Sequence, residues 1–193
     1  MKRILAIFVF ALFVFSACAE PPVDAPVDPE QEVLLRADQV IELMASVENI
    51  ADLAPYVHPE KGVRFSPYVY VQEDSDLVFS AEELGNLQLS DQYEWGVYDG
   101  SGFPIELSVE GYWQKFVYAA DYLEAEPIYN EIVSRGTLIN NTQEVYDAAV
   151  FVDYYVPGSE QYGGMDWRSL RLFFEPYEGE FYLVGVVNDQ WTT

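Results

Sequence analysis

Three runs near the C-terminus decide the fold: Ala149-Val150-Phe151-Val152-Asp153-Tyr154-Tyr155-Val156, then Trp167-Arg168-Ser169-Leu170-Arg171-Leu172-Phe173-Phe174-Glu175, then Glu180-Phe181-Tyr182-Leu183-Val184-Gly185-Val186-Val187-Asn188-Asp189-Gln190-Trp191. Each is rich in β-branched and aromatic residues, and turn residues bound each of them. Pro157-Gly158 to Gly163-Gly164 separates the first two, and Glu178-Gly179 the last two. Strands joined in sequence by such breaks predict an antiparallel meander. Strand alternation puts Trp167, Arg171 and Phe173 on one side and Arg168, Leu170, Leu172 and Phe174 on the other. On the third run Phe181, Leu183, Gly185, Val187, Asp189 and Trp191 share a face by the same count, and on the first Asp153 and Tyr155 do.

Helices are expected before the meander. Val33, Ala37, Val40, Ile41, Met44 and Val47 recur at three- and four-residue spacing, so residues 32–54 read as helical. Asn49 reads as an N-cap restarting a short helix over Ile50 to Tyr56, stopped by Pro59 and Gly62. Val63 to Val71 reads as a strand with an edge or bulge at Pro67. Ser80-Ala81-Glu82-Glu83 carries a capping-box pattern. Tyr93 to Leu107 reads as a hairpin turning at Asp99-Gly100-Ser101-Gly102. Ser108 opens a helix to about Tyr122. Pro127, Gly136 and Asn140-Asn141 break residues 124–147 into a mixed stretch.

This order resembles the NTF2-like (cystatin-like) fold, an α+β cone of N-terminal helices packed on a curved, mainly antiparallel sheet ending in a three-strand meander. The resemblance is carried by Asp52-Leu53-Ala54-Pro55-Tyr56-Val57-His58-Pro59, by Gly62-Val63-Arg64-Phe65, and by the Leu170 to Val187 strand pair. It spans most of residues 32–191. Two segments, His58 to Tyr68 and Gly164 to Arg171, also look like those of bacterial lipoproteins of unassigned activity. The resemblance to NTF2-like proteins implies a pocket at the cone mouth, where enzymes of that family use Asp, His or Tyr.

The N-terminus points to export. Lys2 and Arg3 precede an apolar run from Ile4 to Phe15, followed by small residues and Cys18. Basic, apolar, small is the order of an export signal, and the run is about half the ~20 residues needed to span a bilayer. Phe15-Ser16-Ala17-Cys18 resembles the lipobox of bacterial lipoproteins, which implies diacylglycerol on Cys18 and cleavage before it. The expected organisation is a signal peptide over 1–17, a lipidated Cys and Pro/acidic tether over 18–31, and a single α+β domain over 32–193. Pro21, Pro22, Pro26 and Pro29 make the tether stiff and extended. The protein is then membrane-bound through the Cys18 lipid anchor. It sits on the outer membrane if the host has one, which Ala19 favours, and otherwise on the outer face of the cell membrane.

Composition narrows the chemistry. The chain has 33 acidic and 9 basic residues and a formal charge of −24. Losing Lys2 and Arg3 with the leader deepens this by two charges. Such a surface repels phosphate backbones, which disfavours nucleic acid as a partner, and leaves a solvated exterior or a face for cations. Acylation of the one cysteine removes the only thiol, and a single histidine cannot build a His-rich metal site. No phosphate loop, nucleophile elbow or dinucleotide fingerprint is present, so no cofactor and no metal is expected.

The candidate site residues follow from scarcity and strand geometry. Arg171 can pair across strands with Asp153 or Asp189, either as a register-fixing ion pair or as a clamp for a ligand carboxylate. Tyr155 shares the Asp153 face, and Trp95, Trp167 and Trp191 are candidate apolar walls. His58 follows a helix end, where its ring can cap a carbonyl or serve as a general base. Three functions are open: a ligand- or partner-binding module, an acid–base enzyme (hydrolase or isomerase-like) using His58 and a carboxylate, and a structural accessory lipoprotein with a filled cone. A small molecule or an envelope protein is the expected partner.

Overall fold

The computed structural model describes residues 28–133 and 135–192, so the expected signal peptide, Cys18 and most of the tether lie outside the described residues. The first helix, α1 (Pro29–Met44), starts three residues before the periodicity suggests. Asp28 is its N-cap, accepting from the Glu30 N–H at 3.2 Å, with Pro29 in the first helical position. Proline is preorganised there because that N–H has no helical partner anyway. Glu30 and Glu32 add negative charge at the positive end of the helix dipole. The buried stripe is Val33, Ala37, Val40, Ile41 and Met44.

The helix does not run on to residue 54. It ends at Met44, and Val47–Tyr56 winds as a 3-10 segment after Ser46, not Asn49, adopts an extended backbone. Asn49 instead sends its amide to the Leu43 carbonyl at 3.4 Å. Strand β1 (Val63–Ser66) stops at Pro67 and does not reach Val71, since proline has no N–H for a ladder. It pairs antiparallel with β2 (Leu77–Phe79). Gly62, which leads into β1, has φ +71°, and a Cβ there would stand 2.5 Å from the Phe79 carbonyl oxygen, so this turn needs glycine. Ser80 and Glu83 form the expected capping box on α2 (Ala81–Asn86).

The hairpin is β3 (Gln92–Val97) with β4 (Pro104–Ser108), a two-stranded sheet of its own. Ser108 then caps α3 (Val109–Tyr112), its hydroxyl accepting from the Gly111 N–H. A π-helical turn over Trp113–Val117 ends this helix five residues short of Tyr122. The mixed stretch supplies β5 (Pro127–Tyr129) and α4 (Thr142–Val145). The meander is β6 (Val150–Val156), β7 (Arg168–Tyr177) and β8 (Glu180–Gln190).

The six-stranded sheet runs β2-β1-β8-β7-β6-β5. It is curved and antiparallel except where β1 lies parallel to β8. Proline 127 is tolerated because β5 is an edge strand. One sheet face carries Val152, Tyr154, Leu170, Leu172, Phe174 and Val186, and packs with α1 and the 3-10 segment into the main core. The other face holds a smaller cluster of Phe151, Phe173, Val184 and Val187 under Tyr146 and Val71.

The alternation read from sequence breaks in β8. Phe173 faces Gly185 but Phe174 faces Leu183, so Val184 is an extra residue. A β-bulge resets which side chains point where. Leu183 therefore joins the main core with Phe181 packed against it, while Gly185, Val187 and Asp189 stay with Arg171. The six residues expected to share a face are divided by this bulge.

Gly185 is where the outer cluster closes. The Tyr146 ring stacks on Phe173 at 4.3 Å, and a Cβ on Gly185 would stand 2.5 Å from its hydroxyl oxygen and 2.6 Å from the ring carbon bearing it. Gly185→Ala should therefore cost about 1–3 kcal/mol by overpacking. Tyr146→Phe should cost less than Gly185→Ala, because it removes only the hydroxyl and keeps the ring stacked on Phe173. Chemical denaturation of both variants checks the pair of outcomes.

Candidate functional site

Arg171 sits at mid-strand in β7 and is 1% exposed. Register places Asp153 opposite it on β6, and Asp189 opposite Ser169 on β8, so both carboxylates flank the guanidinium. Both candidate pairings are made. Nη2 donates to Asp189 Oδ2 at 2.9 Å, and Nε approaches Asp153 Oδ2 at 3.4 Å. Nη2 also reaches the Val133 carbonyl at 3.4 Å. Arg135 completes the group, donating to Asp153 Oδ2 at 2.6 Å while its guanidinium lies 4.1 Å from the centre of the Tyr155 ring. Ser169 donates its hydroxyl proton to the other Asp153 oxygen.

Two arginines thus face two aspartates, a neutral set taken out of water together. Burial raises the Asp189 carboxyl above its ordinary range, Arg171 opposes this, and Asp153 adds to it. Arg171 Nη1 is buried with no partner among the described residues. Arg171 lines a cavity of about 40 Å³ with Asp189, Asn140 and Leu138. That volume suits a water-sized molecule, far below the pockets that take organic ligands. An Arg clamp needs a free fork for its guest, and two of the three nitrogens here already serve Asp153 and Asp189. The arrangement is that of a structural ion cluster.

The cluster also lies on the outer face. The cone-interior position expected for the pair is replaced by one between the sheet and residues 132–133 and 135–140, because α1 covers the Leu170 and Leu172 side. Only part of the sequence-derived set gathers there. Asp153, Arg171 and Asp189 do, Tyr155 joins through Arg135, and Trp167 lies 6.3 Å from the Tyr155 ring. Trp95 is in the main core instead, stacked on Tyr112 at 3.9 Å and donating its indole N–H to the Leu107 carbonyl. Trp191 follows the end of β8 and is 37% exposed. The three tryptophans do not wall one pocket.

His58 is buried at the opposite end of the meander. Its Nδ1 accepts from the backbone N–H groups of Glu60 and Lys61 at 3.2 and 3.1 Å, and its ring meets Tyr177 and Tyr182 edge-on. The ring therefore accepts from N–H groups and does not cap a carbonyl. Its backbone N–H bonds Leu183, six residues from Asp189 along β8, about 20 Å at strand rise. His58 and the Arg171 carboxylates cannot share a proton-transfer site. Burial lowers the His58 pKa, with Glu175 partly opposing.

Between these sites the interior is filled. Phe65 meets Trp95, Tyr112 and Trp113 ring to ring, and Phe116 packs on Tyr112. The Trp113 indole donates to the Met44 carbonyl at 2.9 Å, satisfying a helix-end acceptor. Open space lies outside. Tyr68, Tyr70, Gln72, Tyr98, Asp99 and Leu138 line a surface groove of about 250 Å³. Sequence reading missed this groove and Arg135. The dense tyrosines of Ser66 to Tyr70 were its one signal, and Arg135 lay in the unread stretch. Among the described residues no three His, Cys, Asp or Glu side chains converge to hold a metal ion.

No family model and no curated protein matches the chain.

Two outcomes follow. Arg171→Met should cost about 3–5 kcal/mol, since it leaves the buried Asp189 carboxylate without its partner and Asp153 with Arg135 alone, and Arg171→Lys should cost less; urea unfolding measures both. His58, held neutral in the fold, binds protons more readily unfolded. Its contribution is present above about pH 6.5 and is lost as pH falls through the lowered folded value. Asp76 and Asp189, raised by burial, act with the opposite sign. Stability of the native chain measured from pH 7.5 to 5 should therefore fall more steeply than that of His58→Asn, which keeps both carboxylates and an acceptor near Nδ1.

Proposed function

We propose that this protein is a lipid-anchored cell-envelope lipoprotein that works as a binding module, carrying its NTF2-like domain on a short acidic, Pro-rich tether. One observation carries the reading against catalysis: the helix-packed interior, where an NTF2-like enzyme would keep its pocket, is occupied by Phe65, Trp95, Tyr112, Trp113 and Phe116. The one histidine is committed to two backbone N–H groups of its own loop. Recognition is then left to the outer surface. The NTF2-like assignment is supported by the order of elements: two N-terminal helical segments, a strand, a hairpin, a helix and a closing meander on one curved sheet. A filled cone also suits a structural accessory role, and the surface groove of about 250 Å³ favours binding over it.

The anchor rests on Lys2, Arg3, the Ile4 to Phe15 run and Cys18. Two buried acyl chains hold a protein stably, at about 0.8 kcal/mol per methylene. Labelled palmitate fed to expressing cells should enter the native chain and not Cys18→Ala, and the variant should leave the membrane fraction. Unchanged partitioning of Cys18→Ala would remove the lipoprotein reading.

A further inference from the structure

We infer that the groove between the Tyr68–Gln72 segment and the β3–β4 turn is a binding site for a ligand bearing an ammonium or quaternary ammonium group. This rests on the binding-module reading and names its ligand class. The lining includes three tyrosines, Tyr68, Tyr70 and Tyr98, together with Asp99 on the turn and Gln72. Tyr68 is buried into the core and packs against Phe116, so one wall is fixed, while Tyr70 is 48% exposed and presents its ring outward. Gly100 and Gly102, both at positive φ, shape the turn that completes the groove.

Aromatic faces carry negative charge and attract cations. Tyr98 already engages one cation of the protein at the groove's edge, which leaves Tyr68 and Tyr70 as the rings open to a guest. Lys115, which is not part of the wall, places its ammonium 4.4 Å from the Tyr98 ring centre and 3.0 Å from its hydroxyl oxygen. Charge argues the same way. Beyond Gln72 the chain continues into Glu73 and Asp74, both exposed, and Asp99 is exposed on the facing turn. None of the three takes part in an ion pair among the described residues. A formal charge of −24 raises the local concentration of cations and repels anionic guests. A neutral sugar would gain nothing from that field. The size fits a headgroup, not a large organic molecule.

The test is an amide-resolved NMR titration of the full-length chain in nonionic detergent at 150 mM salt. The probes are choline and its uncharged isostere 3,3-dimethylbutan-1-ol. Choline should shift the amides of Tyr70, Tyr98, Asp99 and Gly100 saturably, and the isostere should bind at least about tenfold more weakly. Tyr70→Leu and Asp99→Asn, both at exposed positions that leave the core intact, should each weaken choline by about three- to tenfold. Equal binding of the isostere would overturn the ammonium assignment while leaving a binding groove. Choline shifts spread over the acidic surface and indifferent to both variants would overturn the site. No saturable shift with either probe would overturn the groove as a binding site altogether, whereas loss of the anchor is read separately through Cys18.

Discussion

Arg171 stands in a strand buried on both faces, and its charge has to be answered within the protein. Desolvating a guanidinium costs several kcal/mol unless opposite charge and hydrogen bonds replace water. Asp153 and Asp189 answer it from the two flanking strands, which is possible only in the observed register. A slip of one residue would turn Arg171 into the face packed by α1. The cluster therefore selects a register as much as it adds stability. It also explains the covering segment, because Arg135 and the Val133 carbonyl complete the set and close the outer face.

With β7 covered on both sides, the sheet offers no open concave face among the described residues. The main core takes the helices and the aromatic group around Phe65, and the outer face takes Tyr146 and residues 132–133 and 135–140. One accessible groove lies at the junction where β1 ends at Pro67 and its continuation runs past the β3–β4 turn. Tyrosines collect there because their rings can pack inward while their hydroxyls stay near water. On the proposed binding-module reading, recognition is a surface property, and the strongly acidic exterior favours a cationic guest.

Much of the fold was legible in the chain. The α1 stripe, the capping box at Ser80, the hairpin turn at Asp99-Gly100 and the three meander strands all follow from local periodicity and turn chemistry. The Arg171–Asp153 and Arg171–Asp189 pairs were legible too, since a meander sets β6 and β8 beside β7 and alternation turns the three side chains to one face. The bulge at Val184 was not, because one extra residue leaves no local mark in a run of apolar side chains. Arg135 was not either: Pro127, Gly136 and Asn140-Asn141 erase periodicity, and its partner lies 18 residues away.

The sequence by itself determined the α+β class, the order of elements and the strongly acidic balance, because these depend on composition and short-range spacing. Only the tertiary structure decided which sheet face each charged group occupies, that the tryptophans separate, that His58 serves its own loop, and that open space lies beside Tyr70 and not inside the sheet. Those outcomes depend on how far-apart segments fill a common volume. Close packing is a property of the assembled chain, and no local window of residues contains it.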